Sequence, residues 1–218
     1  FISAEDFELN VSIDNNEKYL IERLFRKDIF DVSGFASKDG LEFTGGKFNL
    51  ANYLKFTEPK HKSKSGIPVS VNLDTLNITD SFYIDNFSTR FVSDSINGKF
   101  AGLFMGAEPV TGSFGSENGY RFAEILSNDA GAFLQAAGLI KRGAEGKLNL
   151  RINRNADGIK GRLFTESLKI YDLPALAKLL QSLSIIGLLE QMLGQGLFLS
   201  ESEINFRLDD KQYIIDRA

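Results

Sequence analysis

The chain has 218 residues, 43% of them hydrophobic, with 19 Phe, no Cys and no Trp. Folding at this length buries roughly 70% of the unfolded chain's surface, so a real core is available to one domain or two small ones. The net charge of −4 argues against nucleic acid as a partner, and the lack of Cys excludes disulfides, thiolate catalysis and zinc–thiolate sites.

Period-two alternation dominates from the N-terminus. Phe7, Leu9, Val11 and Ile13 share one face, with Glu8, Asn10 and Ser12 opposite, as in a half-buried strand. Residues 17–25, EKYLIERLF, fit a helix or a strand. Lys38-Asp39-Gly40 signals a turn. The polar basic stretch 57–66, TEPKHKSKSG, is expected to be a loop between an N-terminal β portion, 1–56, and a main β region, 67–218.

In that main region Val69, Val71 and Leu73 follow Ile67 on one face, against Ser70, Asn72 and Asp74. Phe100/Phe104, Leu148/Leu150/Ile152 and Ile204/Phe206/Leu208 repeat the design. Turn signals fall at Asn97-Gly98, Glu117-Asn118-Gly119, Asp157-Gly158 and Asp209-Asp210. Between Ile159/Leu163 and Leu168/Ile170 the apolar parity flips, which predicts a bulge near residues 165–167. No run reaches 18 apolar residues, so no helical membrane span is expected.

Two helical signals interrupt the strands. The first follows Asn128 and Asp129 and ends at Gly138, placing a helix near 129–137. The second has Asp172 as N-cap and Pro174 in its first turn, and covers 173–193. Its Leu179, Leu183, Ile186, Leu189 and Leu193 suit a core helix packed on a sheet, or a helix capping the end of an apolar groove.

The sequence carries no catalytic signature. Its one His, His61, sits in the basic loop, so a Ser-His-Asp triad has no support. GSFGS at 112–116 lies between strands and is not a nucleophile elbow. No Lys-Ser/Thr and helix follow it, as a phosphate loop would need. Lys60, Lys62 and Lys64 read as an exposed loop, with contact to anionic headgroups as the alternative. No cofactor or metal is expected, and the chain reads as a non-enzyme.

The stretch 127–210 resembles the C-terminal region of the AsmA-like family of bacterial envelope proteins, the TamB-type group. Asp129, Ala130, Gly131 and Leu134 fit its first helix, and Gly146, Leu148 and Leu150 its strand. Pro174, Ala175, Leu176, Leu179, Leu180, Gly187, Leu188, Leu189, Leu193, Gly194 and Gly196 fit its Leu-rich helix, and INFRLDD at 204–210 the next strand; in the first half, GGKFNLANYL at 45–54 looks like the family's Gly-x-x-hydrophobic-x-Leu linker. Alternation alone suits a curved antiparallel sheet, a sandwich or a closed barrel equally. The resemblance implies the first: a mainly β fold, with a curved antiparallel sheet forming an open apolar groove and two short helical inserts in the C-terminal half.

It also implies a function. A periplasmic lipid-binding groove of a bridge-like protein would move phospholipid between the inner and outer membranes of a Gram-negative bacterium. Phospholipid or another acyl lipid would be the ligand, and inner- and outer-membrane components, engaged through regions outside this stretch, the partners. The chain opens at Phe1 and stops at Ala218 just after a strand, so both ends read as cuts within a longer protein. Groove candidates are Val69, Val71, Leu73, Phe100, Phe104, Leu148, Leu150, Ile152, Ile204, Phe206 and Leu208. The Leu-rich helix, through Leu179, Leu183, Ile186, Leu189 and Leu193, would cap the groove. The rival reading is a structural scaffold of the cell envelope that binds protein partners.

Overall fold

Alternating residues become strands throughout the computed structural model, which describes residues 2–13, 18–56, 66–117, 120–155, 158–172, 196–209 and 212–217. The fold is mainly β, with only two short helices among these residues. The expected Leu-rich helix at 173–193 and the basic loop with His61 lie outside them. Two compact units form: Phe1–Gly106 with Ser113–Gly115, and Ala107–Gly112 with Ser116–Ala218.

The first unit contains β1 (Ile2–Ala4), β2 (Phe7–Ile13), β3 (Tyr19–Arg26), β4 (Phe30–Ser37), β5 (Gly40–Asn49), α1 (Leu50–Phe56), β6 (Pro68–Asn77), β7 (Tyr83–Val92) and β8 (Ser95–Phe104). Within the ambiguous stretch 17–25, Tyr19 to Phe25 are strand, because their apolar residues pair with both β2 and β4. Strand order in the ladder follows chain order. Every pair is antiparallel except β5–β6, which is parallel and in register from Leu41↔Val69 to Asn49↔Asn77. A parallel neighbour needs a crossover, and α1 lies in it. Thus 45–54 is not a simple linker: Gly45 to Asn49 complete β5, and Asn49 caps α1 by accepting from the Asn52 amide at 2.9 Å.

One turn expectation is corrected. Asn97-Gly98 lies within β8, and the β7–β8 turn is at Ser93-Asp94. Gly98 serves close packing instead: a Cβ there would come within 2.7 Å of the Phe114 ring.

The second unit contains β9 (Glu108–Glu117) apart from its Ser113–Gly115, which belong to the first unit, and β10 (Tyr120–Ser127), α2 (Ala130–Ala136), β11 (Arg142–Ala144), β12 (Lys147–Asn155), β13 (Gly158–Asp172), β14 (Leu197–Asp209) and β15 (Gln212–Arg217). Its antiparallel ladder runs β10-β12-β13-β14-β15, with β11 also on β13. The exchange of faces expected from the parity flip is present, but no inserted residue makes it: the β13–β14 register keeps step from Ile159↔Leu208 to Ile170↔Leu197. Ser167 has left-handed backbone (φ 58°), so Thr165 and Leu168 both face the apolar side and are buried.

The helix expected near 129–137 is α2. Ser127 Oγ donates to Glu108 Oε1 (2.6 Å) and accepts the Asp129 amide (3.0 Å). Asp129 Oδ1 then accepts from the Ala132 amide at 2.8 Å, capping the helix. The Ala130 and Gly131 amides donate to the Gly146 and Glu145 carbonyls, so the first turn is anchored to the link between β11 and β12. Gly138 (φ 70°) ends the helix, and the Leu139 amide closes back on the Leu134 carbonyl.

Phe133 and Leu134 are buried, and Gly131 abuts β11 so closely that a Cβ would overlap the Ala144 backbone nitrogen. Gly131→Ala should therefore destabilise the protein by about 1–3 kcal/mol in urea denaturation, as overpacking does. An unchanged midpoint would show that α2 does not pack on β11.

Candidate functional site: the apolar face of each ladder

Cross-strand partners project to the same side of a sheet, so register alone assigns the faces. In the first unit, Leu41 pairs with Val69 and Phe43 with Val71. Val69 pairs with Phe91, Val71 with Thr89, and Leu73 with Phe87. Thr89 pairs with Phe100, and Ile84 with Phe104. All five candidates from this unit, Val69, Val71, Leu73, Phe100 and Phe104, thus share one face. Phe87 and Phe100 stack there at 5.7 Å, and Phe91 meets Phe114 edge-on at 6.0 Å. Val69, Leu73, Phe87, Phe100 and Phe104 are buried, whereas Leu41, Phe43, Val71 and Phe91 remain half-buried.

The second unit repeats the design in rows. Ala123, Ile152, Gly161 and Phe206 form one row, and Ile125, Leu150, Leu163 and Ile204 the next. Ser127, Leu148, Thr165 and Ser202 form a third, in which Thr165 and Ser202 share a hydrogen bond of 2.7 Å. The Phe206 ring lies over Gly161, where a Cβ would overlap it. Leu148, Leu150, Ile152, Ile204 and Phe206 therefore come together. Leu208 holds the register position opposite Ile159, and its side chain lies outside the described residues, as do Leu179, Leu183, Ile186, Leu189 and Leu193. Leu148 is buried, while Leu150, Ile152, Leu163, Ile204 and Phe206 are half-buried.

Sequence reading missed Phe43, Phe87, Phe91, Ile125 and Leu163 as members of these faces. The signal for Phe87 was hidden, because Asn86 (φ 50°) interrupts the alternation between Ile84 and Phe87.

The opposite faces are polar and paired. In the first unit Arg23 bridges Glu8 (3.0 Å) and Asp31 (2.9 Å). These hydrogen bonds hold the Asp31 carboxyl below its ordinary value and raise Arg23 above its own. In the second unit Arg162 binds Glu203 at 2.6 Å and Arg151 binds Glu117 at 2.9 Å. The hydrogen bond from Arg162 to Glu203 raises the arginine's pKa, and that from Lys169 to Glu145 raises the lysine's.

A shallow depression of about 370 Å³, lined by Glu117, Tyr120, Phe122, Asn153 and Lys160, is an open hollow by the polar side of β10–β13. Among the described residues, no cluster of three His, Asp or Glu side chains is placed to hold a metal ion, and no helix is long and apolar enough to cross a membrane. What the arrangement offers chemically is apolar surface, partly open to solvent, backed by a salt-bridged polar face. No protein-family model, curated protein or solved structure matches the chain.

Leu148→Ala should cost about 2–5 kcal/mol of stability, as for a buried leucine. Leu126→Ala, on the polar face and 41% exposed, should stay within about 0.5 kcal/mol. Equal losses in chemical denaturation would show the faces to be misassigned. Because the Asp31 pKa is lowered in the folded state, its contribution is complete above the ordinary carboxylate value and is lost as pH falls through the folded one. Asp31→Asn should thus lower stability at neutral pH and flatten the decline on acidification. A variant with unchanged pH dependence would show the Arg23 pairing to be energetically silent.

Proposed function

We propose that the chain is a lipid-binding groove segment of a bridge-like envelope protein that moves phospholipid between the inner and outer membranes of a Gram-negative bacterium. The observation that carries this reading is the half-buried apolar face of each ladder. Leu41, Phe43, Val71 and Phe91 line one, and Leu150, Ile152, Leu163, Ile204 and Phe206 the other. A soluble chain rarely leaves so many large apolar side chains in contiguous rows part-open without a partner for them.

The likeness of 127–210 to AsmA-like proteins supplies the compartment and the direction of the proposal. Acyl chains lie along the apolar rows while headgroups stay in water. Each methylene gains about 0.8 kcal/mol wherever it sits on a uniform apolar strip, so a chain can shift along it without crossing a large barrier. No covalent step is needed.

Organic extraction and mass spectrometry of protein purified without detergent tests the reading, with phospholipid expected in the extract. Val71→Asp together with Leu150→Asp should abolish loading, because a carboxylate in each strip is incompatible with an acyl chain. An empty extract, together with failure of the wild-type protein to take up lipid from vesicles, would favour an envelope scaffold that binds proteins. We further expect no turnover of ester, glycoside or phosphate substrates. Robust hydrolysis lost on changing one Ser or carboxylate would overturn that expectation.

A further inference from the structure

We propose that Arg121 and Arg154 form a headgroup site at the margin of the second unit's apolar face, where they take the phosphate of an anionic phospholipid whose acyl chains lie on the adjoining rows. The proposal rests on the lipid reading above and names the lipid class that this face selects.

Arg121 on β10 and Arg154 on β12 are direct cross-strand partners. They stand two residues before Ala123 and two after Ile152, on the same face as those apolar residues. Ile159 completes their row on β13. Both side chains are exposed, and among the described residues neither guanidinium makes a hydrogen bond, ion pair or ring contact. Other arginines of the unit are engaged: Arg151 with Glu117, Arg162 with Glu203, and Arg142 over the Tyr171 ring at 5.4 Å.

Like charges directly opposite each other on a sheet are destabilising. Arg121 and Arg154 therefore stand where they repel each other until an anion lies between them. Two neighbouring guanidiniums present planar forks of N–H donors that match phosphate oxygens. Along the strands the first purely apolar row lies about 7 Å from the arginine row, and the second another 7 Å on. A molecule with its phosphate at the arginines thus meets hydrocarbon surface immediately beyond it. That adjacency commits the site to a lipid headgroup, since free phosphate has no use for the apolar rows.

The delipidated chain is titrated with vesicles of phosphatidylglycerol and, separately, of phosphatidylcholine, with binding read by co-sedimentation. The wild type should bind phosphatidylglycerol about tenfold more tightly, the scale of a few charge-assisted contacts. R121Q/R154Q should lose that preference, keep its binding to phosphatidylcholine, and unfold no earlier than wild type. R90Q/K160Q removes the same charge from polar-face positions of the two units and should keep the preference.

A preference that survives in R121Q/R154Q overturns the headgroup site and leaves the lipid reading standing. Equal loss in both double variants overturns it in favour of bulk charge attraction. Displacement of phosphatidylglycerol vesicles by millimolar inorganic phosphate would make the arginines a free-phosphate site and also overturn it. Binding of neither vesicle by the wild type would remove both this proposal and the lipid reading.

Discussion

A strand's side chains alternate strictly, so one inserted residue exchanges its faces. Everything described here depends on how the chain keeps one face apolar despite such insertions. In the first unit the irregularities line up. Gly45 and Gly46 (φ 72° and 78°) interrupt β5 beside Asp74 of β6, whose Oδ2 accepts from the Gly46 amide at 2.8 Å. Asn86 breaks β7 opposite Asp74, and the β7–β8 register shifts at the same place. Because neighbouring strands break together, Phe43 and Phe48 point the same way although they stand an odd number of positions apart. The second unit repeats the device with Glu145 and Gly146 (φ 64° and 84°) beside Ser167.

The two devices share a sequence. GKFNL at 46–50 and GKLNL at 146–150 each open on the second of two left-handed residues. Each then sends its first apolar residue, Phe48 or Leu148, to the apolar face. The Asn differs in use: Asn49 caps α1, whereas the Asn149 amide donates to Glu124 on the polar face at 2.9 Å. A short local word that sets the backbone thus serves in two different surroundings.

Much of the fold was legible because its signals are local. Strand alternation depends on nearest neighbours, Asp129 immediately precedes the helix it caps, and the parity flip between Leu163 and Leu168 betrays the left-handed break at Ser167. Signals with a second meaning misled. Asn97-Gly98 carries hairpin chemistry, yet its glycine answers to the ring of Phe114, a contact invisible along the chain. Helix α1 was hidden because β5 runs into it with only Asn49 between apolar residues. The candidate faces were legible strand by strand, through Val69/Val71/Leu73 and Leu148/Leu150/Ile152. Their assembly into rows needed register, and so did the pairing of Arg121 with Arg154, which stand far apart in sequence.

The parallel pair β5–β6 has a kinetic consequence. The antiparallel pairs of the first unit join consecutive strands through short turns, so their closure entropy is small and they form quickly. Pairing β5 with β6 instead requires residues 50–67 to be threaded through the crossover first. Assembly of this unit therefore divides into two fast local ladders, β1–β5 and β6–β8, and one slower joining. Until that joining occurs, β5 and β6 each present an unpaired edge flanked by Leu41, Phe43, Val69 and Val71, a template for another copy of the chain. The hazard of misassembly is concentrated at this one seam, and it lasts until β5 and β6 pair.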